Sequence, residues 1–140
     1  MQVQVRTDPR DITTIPENMQ EQVREKIQSA LYRVAQIGIN IILDRTESGR
    51  GFEGGQFKPY NEKYAAFRVD KGRGLQPNLN FTGQMLGSIT SRADSQKAEI
   101  FFRGATNSAK AAHNNKSRPF FGFSRAEKKK LANKFEEFMQ

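Results

Sequence analysis

Apolar positions recur at steps of three and four from Met19 to Ile41: Met19, Val23, Ile27, Ala30, Leu31, Val34, Ile37 and Ile41. This spacing predicts a long amphipathic helix running to about Leu43. Thr14, Pro16 and Glu17 form its start signal, with Thr14 and Glu17 as a capping box and Pro16 in the first turn. Ile39 and Ile42 widen the apolar face, so the second half is expected in the core, and Gly38 is a weak point inside it. A shorter stripe, Leu131, Phe135 and Phe138, predicts a final helix capped by Ser124 with Glu127 completing a second capping box. Alternation over Gln2-Val3-Gln4-Val5-Arg6 predicts a strand, and Asp8-Pro9-Arg10-Asp11 has turn chemistry.

The middle of the chain is less periodic. Tyr60, Tyr64 and Phe67 share a face at steps of four and three, which predicts a short helix over 59–70 with Pro59 near its start. Thr82 or Gly83 begins a helical turn with Met85, Leu86 and Ile89 inward. A strand over 97–103 pairs with one at about 88–93 as a hairpin, its register ambiguous because Ile100, Phe101 and Phe102 are consecutive. Phe120, Phe121 and Phe123 form an apolar knot after Pro119. Two stretches are expected as long flexible loops: 46–57, with four glycines, read as a mobile loop or open hairpin, and 104–117, which is small and polar. Residues 71–74 (Lys-Gly-Arg-Gly) are a further flexible stretch.

Composition narrows the chemistry. The 140 residues suit one domain over 1–140. The 36% hydrophobic content is low, and 11 Phe compensate in part. The absence of Cys excludes a disulfide framework, a thiol nucleophile, Cys-type zinc sites and iron–sulfur clusters, and a single His excludes a HExxH protease. No apolar run approaches a membrane span and the N-terminus lacks signal-peptide features, so synthesis and folding are expected in a cytoplasm. His113 has no carboxylate nearby in sequence. Asp44 and Glu47 are three apart, and Glu136 and Glu137 face different ways; all read as solvated charges. No catalytic, metal or cofactor residue is assigned, and the chain is expected not to be an enzyme.

Charge is uneven. The net charge of +8 divides into zero over residues 1–50, +2 over 51–100 and +6 over 101–140. Such a basic third seeks an acidic partner, either an acidic protein surface or nucleic acid. Arg125, Lys128, Lys129 and Lys130 are the densest cluster. Arg50, Phe52, Phe57 and Lys58 make the 46–57 loop a docking loop, with Phe52 and Phe57 as apolar tips; Arg73 and Lys110 belong to the other flexible stretches. These ten residues are the candidate partner-binding set.

Three segments carry a family resemblance: Phe57-Lys58-Pro59-Tyr60, with the glycine loop before it; Leu79 through Ile89, containing Thr82-Gly83 and Ser88-Ile89; and Arg118-Pro119-Phe120-Phe121-Gly122-Phe123-Ser124, preceded by Ala111-Ala112-His113-Asn114. In this order they resemble the tailed-phage virion morphogenesis proteins, which include tail-completion and head–tail joining proteins. Tyr60 and Phe123 stand where members usually have Leu. The resemblance implies an α+β fold, with a long N-terminal helix and a C-terminal helix packed on a small, mostly antiparallel sheet. It implies a structural virion protein at the neck or tail top, completing the tail or joining it to the head. It also implies assembly into a ring, six subunits favoured over twelve. Expected partners are other copies, neighbouring neck, connector and tail proteins and channel DNA; no membrane is involved. The alternative is a small basic nucleic-acid-binding protein using Arg125, Lys128, Lys129, Lys130 and Lys134.

Overall fold

A computed structural model describes residues 1–6, 15–80 and 82–140. The expected Asp8–Asp11 turn, the Thr14 cap and Phe81 lie outside the described residues. The fold is α+β. Strand β1 (Val3–Arg6) precedes a long helix α1 (Glu17–Glu47), then come α2 (Glu62–Asp70), a single turn α3 (Gln84–Gly87), β2 (Ile89–Ala93), β3 (Lys97–Phe102), α4 (Ala105–Ser117) and α5 (Arg125–Met139). The strands form an antiparallel sheet in the order β1-β3-β2, with Val3 opposite Ile100 and Ser91 opposite Ile100 on the other side.

Helix α1 runs four residues further than the apolar pattern suggests, ending at Glu47. Pro16 stands just before the helix in an extended conformation, and its carbonyl accepts the Met19 N–H. The buried positions Ile27, Leu31, Val34, Ala35, Ile39 and Ile42 lie along one stripe that packs on β2, β3 and α5. Gly38 is a point of close approach: a Cβ there would lie 2.9 Å from Phe123 Cζ and 3.1 Å from Ile100 Cδ1. Glycine thus lets an aromatic ring rest on the helix backbone.

Alternation resolves the β3 register. Ala98, Ile100 and Phe102 are buried on the side facing α1, with Phe102 packed against Phe120 and Phe121 at ring separations of 6.0 and 4.9 Å. Phe101 takes the opposite face, where the Arg92 guanidinium lies 4.8 Å from its ring. That outer face also carries Gln4, Arg6, Arg92 and Lys97 around Glu99, whose side chain is 6% exposed. Lys97 Nζ (2.9 Å) and Arg92 Nε (2.5 Å) both reach the Glu99 carboxylate. The hydrogen bond from Lys97, then that from Arg92, holds the Glu99 carboxyl below its ordinary value.

The second expected loop is a correction. Residues 105–117 form a helix, although only Ala111 of α4 is buried. Alanine at 105, 109, 111 and 112 supplies propensity without a stripe, and Gly104 turns the chain into the helix at φ 83°.

Of the two readings of 46–57, the open hairpin is the one observed, from residue 48 on. It is fixed to the body, with Arg50 bridged to Gln56, Phe57 N donating to Gly49 O and Phe52 N donating to Pro119 O. Phe57 is buried, so it is core rather than a docking tip. The Phe52 ring lies against Gly122, where a Cβ would meet its Cε1 at 2.9 Å.

Candidate functional site

The Tyr60–Tyr64–Phe67 stripe becomes one wall of a cleft. Asn61 caps α2 by accepting the Tyr64 N–H at 2.8 Å. Tyr60 and Tyr64 meet edge to face at 4.9 Å, and Tyr64 stacks on Phe67 at 6.1 Å. Arg68 continues the same spacing and is 2% exposed. Its Nε donates to Gly74 O at 2.8 Å and its Nη2 to Asn80 O at 3.3 Å, folding the 71–80 segment back on the helix. Its Nη1 has no hydrogen-bond partner among the described residues. The guanidinium instead lies 4.9 Å from the Tyr60 ring and 5.8 Å from the Tyr64 ring, which offsets part of the burial cost.

A second guanidinium covers Tyr60 as well. Arg118 lies 4.8 Å from its ring and donates from Nε to Lys58 O and from Nη2 to Pro59 O, both at 3.0 Å. The Tyr60 hydroxyl accepts the Leu79 N–H at 3.3 Å. Leu79 sits at φ 58°, a left-handed conformation uncommon for a bulky residue. Gly83, at φ 81°, starts the α3 turn, which buries Met85. Asn114 on α4 donates to Met85 Sδ at 3.7 Å and to Lys110 O at 2.8 Å.

These contacts enclose a cleft of about 340 Å³. Tyr60 comes from the first of the three resembling segments, Leu79, Thr82, Gly83 and Met85 from the second, and Asn114 and Arg118 from the third. Among the described residues, Lys110 is the remaining cation on its wall, and no carboxylate lines it. Aromatic faces plus two cations suit an apolar or acidic segment of another protein. His113 is exposed on α4. Among the described residues, no three His, Asp or Glu are grouped to hold a metal ion.

At the far end of α1, a third arginine organises the start of α5. Arg45 Nη1 donates to both Glu127 oxygens at 2.6 and 2.7 Å. Its Nη2 donates to Phe120 O and Gly122 O, each at 2.8 Å. Glu127 also accepts the Ser124 N–H, and Ser124 Oγ accepts the Glu127 N–H, so the expected capping box forms.

The ten candidate residues therefore divide. Arg125, Lys128, Lys129 and Lys130 are exposed together on the first half of α5. Arg50 joins Lys130 in a polar depression beside Arg45 and Glu127. Lys110 lines the aromatic cleft, while Lys58 is exposed at its margin and lends its carbonyl to Arg118. Arg73 is exposed in the segment that Arg68 folds back. Phe57 is buried, and Phe52 is turned onto Gly122.

Sequence reasoning missed Arg45 and Arg68, and named Arg118 only as the start of the third resembling segment, without its hold on Lys58, Pro59 and Tyr60. One signal was present for Arg68, because residues 60, 64 and 68 share a helical face. No helix of the described chain is long and apolar enough to cross a membrane. No family model, curated protein or solved structure matches this chain.

Proposed function

We propose that this chain is a structural virion protein of a tailed phage or phage-derived particle, acting at the neck or tail top as one subunit of an oligomeric ring. The observation that carries the reading is the convergence on one cleft of the three segments whose order resembles the virion morphogenesis proteins. They are distant in sequence, and side chains of each hold the others in place: Arg118 grips the Lys58 and Pro59 carbonyls, and Asn114 reaches Met85. The motif residues thus have fold-making roles, and the chemistry of the cleft is that of a protein contact. Ring assembly through heterologous contacts gives the exposed cations of α5 an acidic neighbour to meet.

Cryo-electron microscopy of purified particles, with the neck reconstructed separately, tests this. The expected result is density for this fold in a ring between head and tail; particles that lack the protein altogether would overturn the reading. The exposed Arg125 and Lys128–Lys130 also support a second reading, direct contact with DNA. Binding of naked duplex DNA near physiological salt, with a steep salt dependence, would favour it.

A further inference from the structure

Helix α1 is longer than the body it serves. The elements packed on it end part-way along: β2 is met by Gln28 and Gln36, which donate to Ala93 O and Ser91 Oγ, and the far end of α5 is met by Arg33, over the Phe138 ring. No residue of α1 before Ile27 is buried, and Val23 only touches the margin of the core. Residues 17–26 therefore form about 15 Å of helix that adds no buried position to the described body. Glu17, Glu21 and Glu25 recur at steps of four on one face of this arm. Glu21 has only a loose exposed contact with Arg24 at 3.8 Å, and Glu17 and Glu25 form no ion pair within the described chain.

The complementary surface is on α5. Arg125, Lys128 and Lys129 share an exposed face at steps of three and four, and none forms an ion pair within the described chain. Arg125 stands in the first turn, where the helix dipole already presents positive charge, and Lys128 and Lys129 repel it from the next turn, so an acidic neighbour would stabilise the face. The one acid of that first turn, Glu127, is held by Arg45 and by its own cap. The arm of the same chain cannot supply the missing acid. Because Arg45 marks the start of α5, the basic face and Glu21 are separated by about 36 Å along α1.

We infer that residues 17–26 are an assembly arm that docks its Glu17–Glu21–Glu25 face on the Arg125–Lys128–Lys129 face of a second copy of this chain. Two complementary surfaces at opposite ends of one molecule join copies head to tail. This is the heterologous contact from which a ring closes, so the inference rests on the ring reading above and assigns its contact.

Paired charge reversals test it by sedimentation velocity at low salt. One variant carries Glu17→Lys, Glu21→Lys and Glu25→Lys; the other carries Arg125→Glu, Lys128→Glu and Lys129→Glu. Circular dichroism checks that both remain folded. The wild type is expected to assemble, each variant alone to sediment as a monomer, and an equimolar mixture to assemble again, because each reversed surface then meets its complement. Failure of the mixture to assemble overturns the contact. If the wild type assembles and either variant does so equally well, the contact is wrong and the ring reading stands. A wild type that stays monomeric at every concentration overturns both. Loss of duplex-DNA binding in the second variant with assembly unchanged gives the cations to nucleic acid and overturns the inference.

Discussion

The two ends of helix α1 share one backbone and differ in almost everything else. From Ile27 to Thr46 the helix supplies nine buried positions, receives Phe123 against Gly38 and ends in the Arg45 network. From Glu17 to Lys26 it supplies none. A helix in a globular domain owes most of its stability to packing of its apolar face. The C-terminal part is explained by the subunit's own core; the N-terminal part adds no buried position to that core and is the part we propose meets another copy. On that proposal the difference separates what holds a subunit together from what joins subunits, and each substitution below bears on one side of it.

The largest effect belongs to the packed part. Leu31 is 0% exposed, and Leu31→Ala should destabilise the subunit by about 4 kcal/mol, read as a lower urea midpoint. Glu127→Ala comes next, at about 3 kcal/mol, because it leaves the Arg45 guanidinium largely buried without its charge partner and removes half of a capping box. Urea unfolding measures this loss too, and a change under about 1 kcal/mol would show that Arg45 finds water instead.

The sheet gives an effect that depends on pH. Glu99 is held below its ordinary value of 4.5 by Lys97 and Arg92, and Asp94 below 3.8 by the N–H groups of Gln96 and Lys97. A depressed carboxyl contributes stability that is complete above its unfolded value and is lost as pH falls through the folded one. Thermal melting from about pH 6 downward should therefore show a loss of Tm beginning near 4.5, and Glu99→Gln should flatten that slope. Equal slopes would remove Glu99 from the account.

The smallest effect sharpens the comparison most. Met19, on the arm, is 48% exposed, and Met19→Ala should change subunit stability by less than about 0.5 kcal/mol. A loss as large as that of Leu31→Ala would mean that the arm is packed within the subunit.

Much of the fold is legible in the sequence where a face is buried at a regular period. The α1 stripe, the α5 stripe with its Ser124–Glu127 box and the hairpin of β2 and β3 all declare themselves locally. Helix α4 does not, because Ala111 is its only buried residue and its helicity comes from alanine propensity. The glycine loop reads equally as a mobile loop or an open hairpin because composition cannot show that Phe57 turns inward or that Gly51 is needed beside Pro119 O, 2.7 Å from its would-be Cβ. The basic face of α5 was legible as a charge cluster. The cleft was legible only as three separate segments, because Arg68 and Arg118 close it through carbonyls of residues 58, 59, 74 and 80, and such pairings leave no local pattern.

The central claim is that this chain is built to assemble with copies of itself. Native mass spectrometry of the purified full-length protein across a range of concentrations tests it most directly. The account predicts a discrete closed oligomer, six copies favoured over twelve, that gains at the expense of monomer as concentration rises. A monomer alone at every concentration would contradict it.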